Sequence, residues 1–171
     1  MAKRWDPQAF WTCYQELTSS SNLGTMAEYP QHGNTCRLLH SVAVAYYSCR
    51  LGALLGRGFH MRETARGALF HDYFFYDAQD GDPAHKGHWS RHPEIAWRNA
   101  KEELDLTRRE EDIIRSHMFP LTLKPPRYRE GVVVMMVDKG CSVYEFFKRR
   151  RPYPALAGKL GRGQERSYGS T

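Results

Sequence analysis

Histidine and aspartate side chains interrupt apolar segments of the sequence in a way that suggests metal binding. His40 shares a helical stripe with apolar residues four, seven and eleven positions later, so it is expected to point towards the core of a helical protein. His71 and Asp72 stand between the apolar runs 68–70 and 73–75. Imidazole nitrogens and carboxylate oxygens are common protein ligands of divalent transition metals. These three residues are therefore candidate metal ligands.

A second aspartate follows an apolar run late in the sequence. Asp138 comes directly after residues 132–137, and a buried charge without a partner costs several kcal/mol. Its partner is either an arginine or lysine or a metal ion, and this residue alone does not decide between them. His117, four residues after Ile113, also points inward, although a single inward histidine is more often a hydrogen-bonded core residue. If all these side chains converge on one metal site, the bound cation offsets the cost of burying each of them.

The candidate ligands follow an order that is typical of a known family: a lone histidine, a His-Asp pair and a distant aspartate. In this respect the chain resembles the HD-domain metal-dependent phosphohydrolases over residues 30–148. The matching residues are His40, the pair His71 and Asp72, and Asp138. The resemblance implies an all-α fold, a compact single-domain helical bundle. It also implies that these four side chains hold one metal ion.

Two further histidines match a subset of that family which binds two metal ions. By this similarity Asp72 would bridge to a second ion, completed by His92 and His117. The alternatives are a surface residue that caps a helix for His92 and a core histidine for His117. The nitrogen and oxygen ligands suit one or two ions of Fe, Mn, Co, Ni or Zn better than Ca or Mg.

The sequence departs from the family directly after the His-Asp pair. Many relatives carry a glycine and a lysine there, with the lysine near the phosphate, whereas this chain has the aromatic run 73–76. The positive charge that binds a phosphate must then come from elsewhere. Lys86, Arg91 and Lys139 are candidates for substrate binding from their positions alone, and a solvated surface role is the alternative for each.

The resemblance implies hydrolysis of a phosphomonoester or a nucleotide-type phosphoester, a small-molecule substrate, by a metal-activated hydroxide. The catalytic residues would be Asp72 and His88. Asp72 would orient the metal ions, and either His88 or solvent would protonate the leaving group. An exposed loop position without a role is the alternative for His88. A branch of the same fold gives a second possible function, a mixed-valence di-iron oxygenase. A non-catalytic module that binds metal or nucleotide is a third.

Helices must position these residues, and the apolar pattern is helical almost throughout. Helices are predicted at about residues 6–17, 35–55, 62–74, 93–104, 107–119 and 130–148. Asp6 before a proline marks one start, and the capping box from Thr107 to Glu110 marks another. Segments 19–33 and 77–92 are predicted as loops, and an irregular segment as long as the second is more often functional than idle.

Length and composition are those of one globular domain. The 171 residues, 41% hydrophobic and 26% charged, are enough for a single core. Residues 1–148 are assigned to the HD-type helical domain and residues 149–171 to a basic tail that is predicted to be disordered. Seven basic residues against one acidic residue in 148–171 account for the net charge of +6. The charge is therefore no strong sign of nucleic-acid binding.

Other features argue against several classes of protein. The longest apolar run, 132–137, is far too short to cross a bilayer, and the N-terminus lacks the apolar segment of a signal peptide. The four cysteines are widely spaced and form no Cys-x-x-Cys pair, which disfavours a zinc ribbon or a redox dithiol. We therefore expect a cytoplasmic protein without membrane contact.

Overall fold

The computed structural model describes residues 5–56, 58–78, 80–148 and 152–168. The α-helices in these ranges are α1 (Pro7–Ser20), α2 (Arg37–Leu54), α3 (Met61–Leu69), α4 (His88–Glu103), α5 (Arg108–Ser116), α6 (Arg129–Phe147) and α7 (Pro154–Tyr168). Short 3₁₀ helices are formed by Asn22–Glu28 and Pro83–His85. The same ranges contain no β-strand, only an isolated bridge between Pro30 and Cys36. The prediction of an all-α fold is confirmed.

Four helices form a ring of contacts around the core: α2 packs on α3, α3 on α5, α5 on α6, and α6 on α2. Three further helices cover this ring, since α1 packs on α3, α4 on α5 and α7 on α2. The middle of α2 is buried on every side, and the run 42–45 has no exposed surface. A helix enclosed in this way carries apolar residues around its whole circumference. No helix in the described ranges has both the length and the apolar character needed to cross a bilayer.

Two helix starts that the sequence predicted are confirmed by their hydrogen bonds. The Asp6 carboxylate accepts a hydrogen bond of 2.9 Å from the main-chain N–H of Gln8 at the start of α1. At the start of α5 the Thr107 hydroxyl accepts from the N–H of Glu110, whose carboxylate accepts from the N–H of Thr107 in return. Such caps satisfy N–H groups that have no partner inside the helix.

Several boundaries differ from the sequence prediction. Helix α3 ends at Leu69, so the His-Asp pair follows the helix instead of lying within the predicted helix 62–74. Helix α4 begins at His88, which shortens the predicted loop 77–92. Pro93 lies inside this helix, where it removes one main-chain hydrogen bond without ending the helix. The predicted loop 19–33 contains a 3₁₀ helix whose Leu23 and Met26 are fully buried.

The prediction that the C-terminal tail is disordered is wrong for its described part. Residues 152–168 contain α7, which packs on α2, and Tyr153 and Leu156 are buried. Leu160, one turn after Leu156, packs against the same core. These few apolar residues at helical spacing are enough to dock a short helix onto an existing surface. Residues 149–151 and 169–171 of the predicted tail lie outside the described ranges.

We expect the packing of α7 on the core to contribute to the free energy of unfolding. Replacement of Leu156 by alanine is expected to lower the free energy of unfolding by about 2–4 kcal/mol, because it leaves a cavity between α7 and the core. Urea denaturation followed by circular dichroism measures this change. The control is Leu54→Ala on an exposed leucine, which should change stability far less. Equal effects of the two substitutions would contradict the packing of α7.

Candidate metal centre

The six side chains that the sequence predicted as metal ligands meet in the interior of the protein. They are His40 on α2, His71 and Asp72 directly after α3, His92 on α4, His117 at the end of α5, and Asp138 on α6. Each is buried, with no more than 6% of its surface exposed. Buried His/Asp groups of this kind, with ligand atoms within 4.8 Å of one another, could hold a metal ion.

One part of the centre gathers around His71. Its Nε2 atom lies 3.4 Å from Oδ2 of Asp72 and 3.5 Å from Oδ1 of Asp138. The Nε2 atom of His40 lies 3.1 Å from the same oxygen of Asp138 and 3.9 Å from Oδ2 of Asp72. Two imidazole nitrogens therefore each lie within 3.9 Å of an oxygen of both carboxylates.

The other part of the centre lies on the opposite side of Asp72. Oδ1 of this residue is 3.2 Å from Nε2 of His92 and 3.5 Å from Nε2 of His117. Its other oxygen, Oδ2, faces His40 and His71. The two oxygens of one carboxylate thus face different pairs of histidines. The pairs are themselves close together, because His71 and His117 form a further candidate group with Asp138.

Main-chain carbonyl groups fix the orientation of three of the four imidazoles. The Nδ1 atoms of His71, His92 and His117 lie 2.7, 3.1 and 2.8 Å from carbonyl oxygens three or four residues earlier in the chain. A carbonyl oxygen only accepts, so each Nδ1 atom carries the hydrogen. In the neutral ring the lone pair is then on Nε2, which faces the centre. Metal-binding histidines are commonly held in this way.

Several atoms in the centre lack the partners that burial demands. Nε2 of His71 and Oδ1 of Asp72 are buried without a well-formed hydrogen bond, and their nearest carboxylate and imidazole neighbours lie 3.2–3.5 Å away. The Nε2 atoms of His92 and His117 are 2.9 Å apart, and in the neutral tautomers just described both would be acceptors. A cation among these atoms removes the repulsion and supplies the missing partners. The residues present therefore fit a metal ion.

Two histidines of the centre, His40 and His71, have raised pKa values. Burial alone would lower the pKa of His40, but hydrogen bonds to Asp138 and Glu145 outweigh it and raise this pKa to about 9. Burial also opposes charge on His71, yet Asp72 and Asp138 hold its pKa well above the usual value. The pKa values of both aspartates lie well below their usual range, because the histidines outweigh the effect of burial. The carboxylates are thus ionised and ready to bind a cation.

The sequence reasoning missed two polar residues next to the ligands. Both carboxylate oxygens of Glu145 lie within hydrogen-bonding distance of Nδ1 of His40, at 2.9 and 3.1 Å. This glutamate is fully buried, and its position seven residues after Asp138 on the same helix was a usable signal. Gln31 donates from Nε2 to Oδ2 of Asp72 at 2.6 Å. It lies before α2 in a segment without periodicity, so no pattern pointed to it.

Arg37, a buried residue of α2, supports the segment that carries the His-Asp pair. Its Nη1 atom donates to the carbonyl oxygen of Phe74 at 2.8 Å, and Nη2 donates to that of Tyr76 at 3.1 Å. Its Nε atom donates to Oε1 of Gln31 at 3.0 Å, and the guanidinium lies 3.6 Å from the centre of the Phe74 ring. The aromatic run 73–76 is therefore a structural support beside Asp72.

A cavity of about 260 Å³ opens onto the centre. It is lined by Gln31, His32, Asp72, His88, Trp89, His92, His117, Met118, Leu121, Asp138, Lys139, Ser142 and Val143. Two of the other predicted site residues are among them. Lys139 donates from Nζ to the carbonyl oxygen of His117 at 2.9 Å. The His88 ring stacks on His92, and its Nδ1 lies 2.9 Å from the Tyr76 hydroxyl.

The remaining two predicted substrate-binding residues lie elsewhere. Lys86 and Arg91 are exposed, and neither lines the cavity. Arg91 donates from Nη1 to the carbonyl oxygen of Lys86 at 3.4 Å, so the two residues contact each other near the start of α4. Lys86 precedes α4 and Arg91 lies in the first turn of this helix, both on the outer surface. Direct binding of a substrate in the cavity by Lys86 or Arg91 has no support in the structure.

The centre thus provides candidate ligands for a metal ion, a carboxylate that faces two pairs of histidines, and an adjoining cavity. The ligand atoms are nitrogen and oxygen, and the described residues that line the cavity include no cysteine. Such a set is typical of divalent transition metals. Comparison of the chain with protein-family models, with curated proteins and with solved structures gives no significant match.

Proposed function

We propose that this chain is a metal-dependent phosphohydrolase of the HD-domain type that cleaves a phosphomonoester or a nucleotide-type phosphoester. The observation that carries the proposal is the position of Asp72, whose Oδ1 faces His92 and His117 while Oδ2 faces His71 and His40. The order of ligands along the sequence, which resembles the HD family, supports the same function.

The proposed cofactor is one or two ions of Fe, Mn, Co, Ni or Zn. The first ion would be held by His40, His71, Asp72 and Asp138, whose facing nitrogen and oxygen atoms lie 3.1–3.9 Å apart. The second would be held by Asp72, His92 and His117. When bound, such ions activate water as a nucleophile near neutral pH and neutralise charge on phosphate oxygens. Glu145 orients His40 by accepting a hydrogen bond from its Nδ1 atom.

Hydrolysis replaces the bond between phosphorus and the ester oxygen with a bond to the oxygen of water, and one proton of the water passes to the leaving alcohol. Lys139 lies at the cavity and can pair with a phosphate oxygen. Burial, reinforced by the neighbouring His92 ring, lowers the pKa of His88 to about 4. His88 is therefore neutral at pH 7, which favours solvent over His88 as the first donor to the leaving group.

Elemental analysis and two assays test the proposal. We expect the purified protein to contain transition metal, with one or two ions per chain, and to release phosphate from esters when loaded with Mn(II). Oxygen uptake of the Fe(II)-loaded protein is followed in parallel with the same compounds. The control is the same preparation after removal of metal by a chelator, which should be inactive until metal is restored.

The other outcomes of these assays contradict hydrolysis in different ways. Substrate-dependent oxygen uptake without phosphate release would replace the hydrolase by the di-iron oxygenase. Metal-loaded protein that is inert in both assays, over a broad panel of phosphoesters, would indicate a binding module. Absence of bound metal after loading would refute the metal centre itself.

A further inference from the structure

Large apolar side chains form one wall of the cavity above the metal ligands. Trp89 is 60% exposed, Leu121 is 65% exposed and Val143 is 58% exposed, and all three line the cavity. They come from the first turn of α4, the segment after α5, and α6. Three separate parts of the chain thus bring apolar surface to one place beside the centre. We call these three residues the apolar wall.

The apolar wall lies beside the groups that orient the ligands, and the ring centres of its Trp89 and of His88 are 5.7 Å apart. Its side chains face the cavity and are largely exposed, whereas the residues that orient the histidines are main-chain carbonyls and Glu145. Clustered exposed apolar surface in a concave site usually marks the place where a ligand is bound. Because the wall and the metal ligands share one cavity, the same molecule can contact both.

Positive charge in the cavity is limited. Lys139 is the only lysine or arginine among the described residues that line it, and its ammonium already donates to the carbonyl oxygen of His117. Asp72 and Asp138 face the same space and would repel phosphate groups not neutralised by bound metal. The hydroxyl of Ser142 donates to the main-chain oxygen of Asp138. A chain of several phosphates would therefore find few partners here, whereas a single phosphate group is matched.

The size of the cavity also favours a ligand with a single phosphate group. Its volume of about 260 Å³ is below the range of about 300–1,000 Å³ that is common for ligand sites. A phosphate group and one ring fit within such a space.

We propose that the substrate is a small phosphate monoester with an apolar, preferably aromatic, body. The phosphate lies at the metal ligands and Lys139, and the body packs on the apolar wall of Trp89, Leu121 and Val143. This inference rests on the proposed function, because it names the substrate class of the same site. It narrows that function by placing polyphosphates and very polar esters outside the preferred substrates.

The first test compares two phosphate monoesters with the Mn(II)-loaded protein. Phenyl phosphate is expected to have a higher kcat/KM than glycerol 3-phosphate. Trp89→Ala should reduce this preference about tenfold, which corresponds to the loss of one aromatic partner, and Leu121→Ser should reduce it as well. The controls are Leu123→Ser and Phe147→Ala, two exposed apolar residues that do not line the cavity. Neither should change the preference.

The second test measures binding without turnover. Isothermal titration calorimetry of the same loaded proteins should show tighter binding of benzylphosphonate than of methylphosphonate, and Trp89→Ala should remove most of the difference. Metal content measured on every variant should equal that of the unsubstituted protein. This test keeps its meaning if no ester is hydrolysed, in which case the proposed function fails but the class of ligand is still decided.

Two results would overturn the inference. One is equal kcat/KM for the two esters together with equal affinity for the two phosphonates. The other is a preference for the aromatic compounds that persists when Trp89 and Leu121 are both replaced. Preference for the aromatic phosphonate without release of phosphate from either ester would support the apolar wall and refute hydrolysis.

Discussion

Replacement of Asp72 by asparagine is expected to lower the affinity of the centre for Mn(II) by about 10³-fold, the scale of breaking a buried charge pair, and to abolish phosphate release. The carboxylate faces His40 and His71 with one oxygen and His92 and His117 with the other. An amide keeps the shape of the side chain but supplies one neutral oxygen and one NH₂ group in place of the two carboxylate oxygens. The NH₂ group would then face imidazole nitrogens at a position where the cation has to bind. Competition with a fluorescent chelator measures the affinity.

The matched control for this substitution is Asp105→Asn, which makes the same chemical change at an exposed position. It should leave both metal affinity and activity unchanged. Circular dichroism on both variants shows whether the helices are intact. If Asp72→Asn binds Mn(II) as tightly as the unsubstituted protein does, the assignment of this residue as a bridging ligand is refuted.

The affinity for metal should fall at least about 100-fold between pH 8 and pH 6, because each displaced proton contributes about tenfold per pH unit and the pKa of His71 is raised as well as that of His40. In the metal-free chain Asp138 and Glu145 raise the pKa of His40 to about 9, so this ring is protonated at both pH values. A metal ion binds only the deprotonated ring, and binding therefore releases a proton. Lower pH favours the protonated, metal-free form. Calorimetry in buffers of different ionisation enthalpy counts the protons released.

Glu145→Gln provides a sharper version of this experiment. The substitution removes one of the two carboxylates that hold the proton on His40, so the decline in affinity should begin at lower pH. His60→Asn is the control, because His60 is half exposed and pairs with Glu63, outside the centre. A metal affinity that does not vary with pH would contradict ligation by His40.

The sequence was most informative where a polar residue occupied a position that packing reserves for apolar ones. His40 and Asp138 lie on helices whose neighbouring residues are buried, and each needed a partner in the interior. Since burial of a charge is costly wherever it occurs, this signal did not depend on exact helix boundaries. His71 and Asp72 were placed correctly in the interior even though α3 ends before them.

The features that were missed depend on contacts between distant parts of the chain. Gln31 reaches Asp72 from a segment without periodicity, and α7 gains its order by packing on α2. The position of Pro93 suggested a helix start, yet α4 begins one turn earlier and places His88 and His92 on the same face. Local preferences are weak compared with tertiary packing, so such contacts are not readable from neighbouring residues.

The carbonyl groups that hold His71, His92 and His117 have a consequence for the choice of ion. Each ring is anchored within its own turn of the chain, so its rotational freedom is lost when the protein folds, and capture of an ion costs little additional entropy. The positions of these three rings are thus set by the main chain. If the centre holds an ion, we expect it to disfavour Ca²⁺, which prefers more oxygens at longer distances, because the rings can move apart only together with their main-chain segments.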